Sequence, residues 1–348
     1  MNNNEELLEW QSKIENTSPK ATVKRILVKQ KGNISENAIP ARVVAAEGRL
    51  FLVKAEMGIT PQYYECLKAG RIISANSNSK LVAVGDQVKI LPEKKINNHK
   101  IGNATILAVD SRETFLSRKD IRTPEEQLIA ANIDYLIIMA SAQMPCYNTR
   151  FIDRLVVASE LGGLTPVICI NKMDLDDEKY VLSDMEVYQK LGIEVFLTSF
   201  TEGIGVSILK EFVSTKKSVI IGPSGVGKST FINELLGKSI QKVSIVSSKT
   251  SKGKHATSFV RLFELLDGGE IIDTPGIREF ALYGIDAEEL TLYFHDFDDF
   301  YENCHFMPCS HTHEPGCAIK EAVDKEKISI VRYESYLNMY ETLITKSY

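Results

Sequence analysis

A single octapeptide narrows the folds open to this chain. Gly222-Pro223-Ser224-Gly225-Val226-Gly227-Lys228-Ser229 follows the apolar run 218–221 and opens the amphipathic stretch 230–236. Strand, glycine-rich turn and helix in that order match the phosphate-binding loop pattern of Gly, four residues, then Gly-Lys-Ser. Such a turn aims successive backbone N–H groups at a polyphosphate, and the helix N-terminus adds partial positive charge. In this reading Lys228 reaches the β- and γ-phosphates and the Ser229 hydroxyl binds Mg²⁺. Thr230, one residue on, belongs to the same phosphate-binding set.

A second string selects the base. Asn171-Lys172-Met173-Asp174 follows the apolar run 166–170. A carboxylate at a strand end accepts two hydrogen bonds from the N1–H and 2-amino groups of guanine. Adenine presents neither donor there, so Asp174 would be left desolvated and unpaired against it. Asn171 can bridge the base edge and the phosphate loop, and the Lys172 stem can cover the base face. Thr198 and Ser199, after the apolar run 195–197, would complete the base pocket with backbone and hydroxyl groups.

Downstream, Glu270–Asp273 runs into Thr274-Pro275-Gly276, a strand ending in Asp-x-x-Gly. Asp273 would hold Mg²⁺ through water, and the Gly276 N–H would sense the γ-phosphate. Between the two elements lies Gly253-Lys254-His255-Ala256-Thr257-Ser258. Thr257 is the residue expected to close over Mg²⁺ when the γ-phosphate is present, with Ser258 next.

The motif order is unusual. Most GTPases begin with the phosphate loop and end with the base motif; here the base motif comes first and Asp-x-x-Gly last. One pocket still assembles if the sheet is circularly permuted, which costs little because termini often lie close together at the surface. Many small GTPases also place Gln directly after Asp-x-x-Gly to orient the attacking water. Ile277 stands there instead. Intrinsic turnover is therefore expected to be slow, and another group must position the water. His255, in the loop with Thr257, is the candidate, since a neutral imidazole can orient water.

Six cysteines in an intracellular nucleotide enzyme suit thiols or metal ligands better than disulfides. Cys304, Cys309, His311 and Cys317 crowd one Pro/Gly-containing loop. Three thiolates and one imidazole suit a tetrahedral Zn²⁺ with a closed, structural coordination sphere. His305 and His313 break the spacing. Cys66, Cys146 and Cys169 sit in apolar surroundings and are read as core.

Residues 1–20 read as an extension with a short helical pattern (Leu7, Leu8, Trp10, Ile14), residues 21–109 as a small barrel of short strands. Those strands include 63–67 and 81–84. Residues 130–139 read as one buried strand opening a second domain, 110–283, of alternating strands and helices. The remainder, 284–348, holds the metal loop and two helices, 318–323 and 328–343. The net charge of −5 is unevenly placed: residues 18–120 carry 18 Lys and Arg against 9 Asp and Glu. A basic first module on an acidic remainder fits a polyanionic partner touched at one end. Tyr63, Tyr64, Arg71, Lys94, Lys95 and Lys100 are the candidate RNA contacts; barrel core for the tyrosines and plain solubility for the cations are the competing assignments. The apolar runs are too short to span a bilayer and the N-terminus is no secretory signal, so a cytoplasmic protein is expected.

These motifs, in this order, resemble the circularly permuted bacterial GTPases of the RsgA (YjeQ/YloQ-like) family, which act on the small ribosomal subunit. The resemblance covers residues 38 to 330. It implies an α/β circularly permuted P-loop GTPase domain, preceded by an OB-fold barrel and followed by an α-helical zinc-binding domain. It points to the same four zinc ligands and the same histidine, His255. Three hydroxyl residues usually follow that histidine; this chain has Ala256-Thr257-Ser258. The implied function is a GTPase of late 30S maturation that binds 16S rRNA, hydrolyses GTP to GDP and is stimulated by the subunit; a monomer is expected. A nucleotide-gated RNA-binding module with negligible turnover is the alternative, favoured by the missing Gln. A small-molecule kinase is a third, opposed by Asp174.

Overall fold

The computed structural model describes residues 35–58, 60–74, 81–93, 101–120, 123, 125–176, 180–237, 259–277 and 279–345. Five strands form a closed barrel: β1 (Ile39–Glu47), β2 (Leu50–Ala55), β3 (Gln62–Ser74), β4 (Gln87–Pro92) and β5 (Ile101–Val109). Each pairs with two others in the ring β1-β2-β3-β5-β4-β1, and only β3–β5 is parallel. Alternation supplies the interior: Val43, Val53, Cys66, Val88, Ile90 and Ile106 are all fully buried. Ring closure removes the exposed edges that short strands would otherwise present.

Two expectations for this stretch are corrected. Residues 81–84 form no strand; only Val84 makes an isolated bridge, to Ala130. The Asp86 carboxylate takes the Ala83 N–H at 2.8 Å and is held by Arg112 at 2.7 Å. A side chain thus satisfies backbone that a ladder would have used. Tyr63 is only 3% exposed and packs in one buried cluster with Val44, Leu52, Phe263 and Ile271, so it is core.

A hairpin follows, β6 (Phe115–Lys119) and β7 (Glu126–Ala131), then β8 (Tyr135–Ser141). The expected single strand 130–139 is therefore two, broken where Asn132 adopts φ 54° and donates its side-chain amide to Gly85 O. The chain continues as α1 (Thr149–Leu161), β9 (Thr165–Asn171), α2 (Tyr180–Lys190), β10 (Glu194–Leu197), α3 (Val206–Ser214), β11 (Lys217–Ile221), α4 (Lys228–Leu236), β12 (Phe259–Glu264) and β13 (Glu270–Asp273). Asn148 caps α1 by accepting the Phe151 N–H. The sheet order is β10-β9-β8-β11-β13-β12, parallel except at β12. β12 then pairs antiparallel with β1, so the barrel continues the same sheet.

Past β13 the chain makes short 3₁₀ turns, then α5 (Ala318–Asp324) and α6 (Ile330–Ile344). These match the two expected helices. α6 docks on α1 through Arg332, which is 2% exposed. Its guanidinium donates to Asp153 on α1 at 2.5 Å and to Asp296 at 2.7 Å. Among the described residues no helix is long and apolar enough to cross a membrane.

Candidate functional site

The carboxyl ends of β9, β10, β11 and β13 converge, as nucleotide sites in such sheets require. The turn after β11 is held tight by its glycines. A Cβ on Gly222 would lie 2.0 Å from Met139 O, and one on Gly227, at φ +110°, 2.4 Å from Asn171 Nδ2. Only glycine lets this turn lie so close to β8 and to the base motif.

Asn171 joins the two motifs. It is buried, donates to Val226 O at 2.9 Å, and accepts from Phe200 N at 3.2 Å and Thr198 Oγ1 at 3.3 Å. The bridge to the phosphate loop is the one expected from sequence. Asp174 is exposed, with Oδ1 accepting from Ser199 Oγ at 2.5 Å. Lys172 adopts φ 61° and donates through Nζ to Met144 O. Thr198 and Ser199 are fully buried, and Met173 is half-buried.

On the other side of the turn lies a cavity of about 390 Å³. It brings together Ser224, Gly225, Gly227, Lys228, Ser229 and Thr230 with Asp273 and Gly276. Pro223 and Val226 do not line it; Val226 is 1% exposed core. Lys228 Nζ donates to Gly222 O and Pro223 O, each at 2.7 Å. Burial lowers its pKa and Asp273 partly opposes this. Burial likewise raises Asp273, against Arg261 and Lys228. Two partly desolvated opposite charges facing one cavity suit an anion and its cation. The Asp273 carboxylate and Ser229 hydroxyl, both lining the cavity, are hard oxygen donors, a donor set that fits Mg²⁺. Gly276 lies against Ser224, and the Ile277 N–H donates to Gly222 O at 3.1 Å. The Ile277 side chain is 7% exposed core. His255, Thr257 and Ser258 lie outside the described residues.

Sequence reasoning missed Phe200, which stacks on Phe231 at 5.6 Å and supplies a backbone donor to Asn171. It also missed Phe259 and Arg261 in the cavity wall. Phe200 directly follows Thr198-Ser199 and was within reach of that motif. Arg261 carried no local signal, because its place is set by strand pairing.

The second cluster is Cys304, Cys309, His311 and Cys317, whose ligand atoms all lie within 4.8 Å of one another. His311 Nδ1 is 3.5 Å from both Cys304 Sγ and Cys317 Sγ, and those sulfurs are 3.9 Å apart. Tetrahedral Zn–S bonds of about 2.3 Å would put two sulfurs about 3.8 Å apart, so the group fits one such ion. Burial raises the Cys309 and Cys317 thiols and lowers His311. A bound cation reverses the thiol shift, since a coordinating thiol deprotonates outright. His305 and His313 are exposed and outside the cluster. Of the three cysteines read as core, Cys66 and Cys169 are buried but Cys146 is exposed. It sits in the loop after β8, which its apolar flanks did not reveal. Of the RNA candidates, Tyr64 is half-buried with its hydroxyl on Gln62 at 2.7 Å. Lys94, Lys95, Lys100 and the Arg71 side chain lie outside the described residues.

The family model described as RsgA GTPase matches residues 109–283. Small ribosomal subunit biogenesis GTPase RsgA of Chlorobaculum parvum is 40% identical over 306 residues, covering 86% of this chain and 97% of its own. The protein of that name from Haemophilus influenzae is 38% identical over 266 residues, 75% of each chain. The crystal structure of YjeQ from Thermotoga maritima superposes with TM-score 0.63 at 30% identity, covering 88% of this chain and 99% of that one. YloQ, described as a circularly permuted GTPase, gives 0.61 at 26% identity, with 89% and 96% covered. This chain carries a permuted GTPase sheet with a five-stranded barrel before it and a Cys₃His loop after it, and with the family model over half of its length and a relative 40% identical over 86% of it, the chain belongs to the RsgA GTPase family.

Proposed function

We propose that this GTPase binds GTP with Mg²⁺ across the cavity between the phosphate loop and Asp273, and serves late maturation of the small ribosomal subunit through contacts to 16S rRNA. The observation that carries the nucleotide reading is Asn171. Its amide ties the base motif on β9 to the phosphate loop after β11 at 2.9 Å, although the two are reversed in sequence order. The subunit role rests on the names of the relatives, small ribosomal subunit biogenesis GTPase.

Lys228 and the loop N–H groups hold and orient the phosphates, Asp174 and Ser199 read guanine, and the Gly276 N–H meets the γ-phosphate. Ser229, Asp273 and Thr257 would hold Mg²⁺, which would supply neutralisation of the phosphate charge. Buried Ile277 has no polar side-chain group to place water, which leaves that task to His255, with the subunit as the stimulating partner. The zinc set Cys304, Cys309, His311 and Cys317 stiffens the C-terminal loop. The Lys- and Arg-rich stretch 18–120 supports an RNA contact through the barrel. The reading is of a monomeric cytoplasmic protein.

GTP hydrolysis titrated with purified 30S subunits at several salt concentrations tests this. Subunit-stimulated turnover that declines steeply with salt is expected. Binding without any turnover, with or without subunits, would favour the nucleotide-gated module instead.

A further inference from the structure

Arg261 faces the nucleotide cavity, and none of the site's motifs gives it a task. It stands on β12 opposite Asp273 in the ladder with β13. A guanidinium nitrogen lies 3.9 Å from Asp273 Oδ2, with the two side chains only 19% and 21% exposed. The guanidinium carbon sits 4.5 Å from the Phe263 ring centroid and 5.9 Å from that of Phe259. Aromatic rings thus fix the cation where it addresses the carboxylate. Lys228 directs its ammonium to the carbonyls of its own loop instead.

We propose that Arg261 is a positioning residue that substitutes for the magnesium ion: it neutralises and orients the Asp273 carboxylate in the metal-free site and competes with Mg²⁺ for that carboxylate once nucleotide arrives. The proposal rests on the cavity being the Mg²⁺–GTP site. It has two consequences of opposite sign. Without metal, a cation beside Asp273 softens the negative potential that incoming phosphates meet, so removing it weakens nucleotide binding. With metal, the same cation opposes Mg²⁺ at the shared carboxylate, so removing it lowers the Mg²⁺ requirement. A residue that merely supported the cavity wall would, when removed, impair both.

The test is equilibrium binding of a fluorescent GDP analogue to the full chain, in EDTA and across a Mg²⁺ titration. Arg261→Met keeps an unbranched side chain of similar length, Arg261→Gln keeps a polar end, and Arg261→Lys keeps the charge. Both charge-removing variants are expected to bind about tenfold more weakly in EDTA and to need about tenfold less Mg²⁺ for half-maximal tightening. Arg261→Lys should stay near wild type in both. In Arg261→Met and Arg261→Gln, weaker binding in EDTA accompanied by a higher Mg²⁺ requirement, or no change in either quantity, overturns the proposal. Asp273→Asn is an independent arm. It should bind the analogue more tightly than wild type in EDTA, because Arg261 then faces the phosphates unopposed; unchanged or weaker binding also overturns the proposal. A wild-type chain that does not bind the analogue at all would refute the cavity assignment itself, a result distinct from binding whose metal dependence ignores Arg261.

Discussion

The residue that most nearly defines the site is Asn171, whose four-residue motif announced it in the sequence. Its neighbours in the motif give a sharp chemical test. Asp174 offers two acceptors to the N1–H and 2-amino groups of guanine. Asp174→Asn replaces one acceptor with a donor, and hydrogen bonds to charged groups are worth about 1.5–3 kcal/mol. GTP affinity should therefore fall by about 10- to 100-fold, while a nucleotide with a carbonyl at the 2-position should gain; competition binding with the two bases checks both signs. His255→Ala should leave GTP affinity close to wild type and lower subunit-stimulated turnover by about 100-fold or more, read by phosphate release. Undiminished stimulated turnover would remove the role. Tyr63 and Cys146 show the limit at this scale. Tyr63 stands between Gln62 and Tyr64 and Cys146 between Pro145 and Tyr147, yet the first is 3% exposed and the second is exposed. Local composition does not say which face of a strand or loop another element will cover.

Elements meet through buried polar contacts that no helix or strand pattern announces. Arg332 on α6 donates to Asp153 on α1 at 2.5 Å and to Asp296 at 2.7 Å, and Tyr188 on α2 donates to the same Asp153 oxygen at 2.7 Å. Burial lowers the Arg332 pKa, but the two carboxylates outweigh it and raise it. Arg332→Met would leave two buried carboxylates without their cation, which costs about 3–5 kcal/mol; urea midpoints would show the loss. Next to this, His295 bridges Glu160 on α1 at 3.1 Å and Asp298 at 2.9 Å. Burial lowers the His295 pKa, yet the bond to Asp298 and the nearby Glu160 raise it above the ordinary 6.5. Glu160 is also raised, chiefly by burial. Both groups hold protons more tightly folded than unfolded. The His295 contribution is thus complete below pH 6.5 and is lost as pH rises through its raised folded value. Thermal stability of wild type minus His295→Gln should decline across that window, and a difference that grows with pH would contradict the assignment.

Among the described residues the barrel continues the edge of the nucleotide-site sheet at β12, and the cysteine-rich loop follows that sheet in the chain. β1 pairs with β12 over Ala45–Arg261, Ala46–Val260 and Glu47–Phe259, and Arg42 makes a two-pronged ion pair with Glu270. The Cys₃His loop leans on α6, where Tyr333 donates to His311 O at 2.7 Å. Losing the metal should therefore unsettle the α1–α6 contact as well as the loop. Purified protein is expected to hold about one zinc, and Cys304→Ser to lose it with a clear drop in melting temperature; elemental analysis with calorimetry checks both. Zinc-free protein of unchanged stability would show the cluster to be dispensable. The amino-acid sequence alone determined which chemical groups gather: the Gly-rich turn 222–229, the Asn-Lys-Met-Asp string 171–174 and the Cys₃His set each occupy a few consecutive or closely spaced residues, and backbone N–H geometry and ligand type are local properties. Tertiary structure decided the rest. Arg261 faces Asp273, the barrel joins β12, and Arg42 reaches Glu270 across 228 residues, because cross-strand register and long-range ion pairs join segments whose periodicity carries no record of their partner.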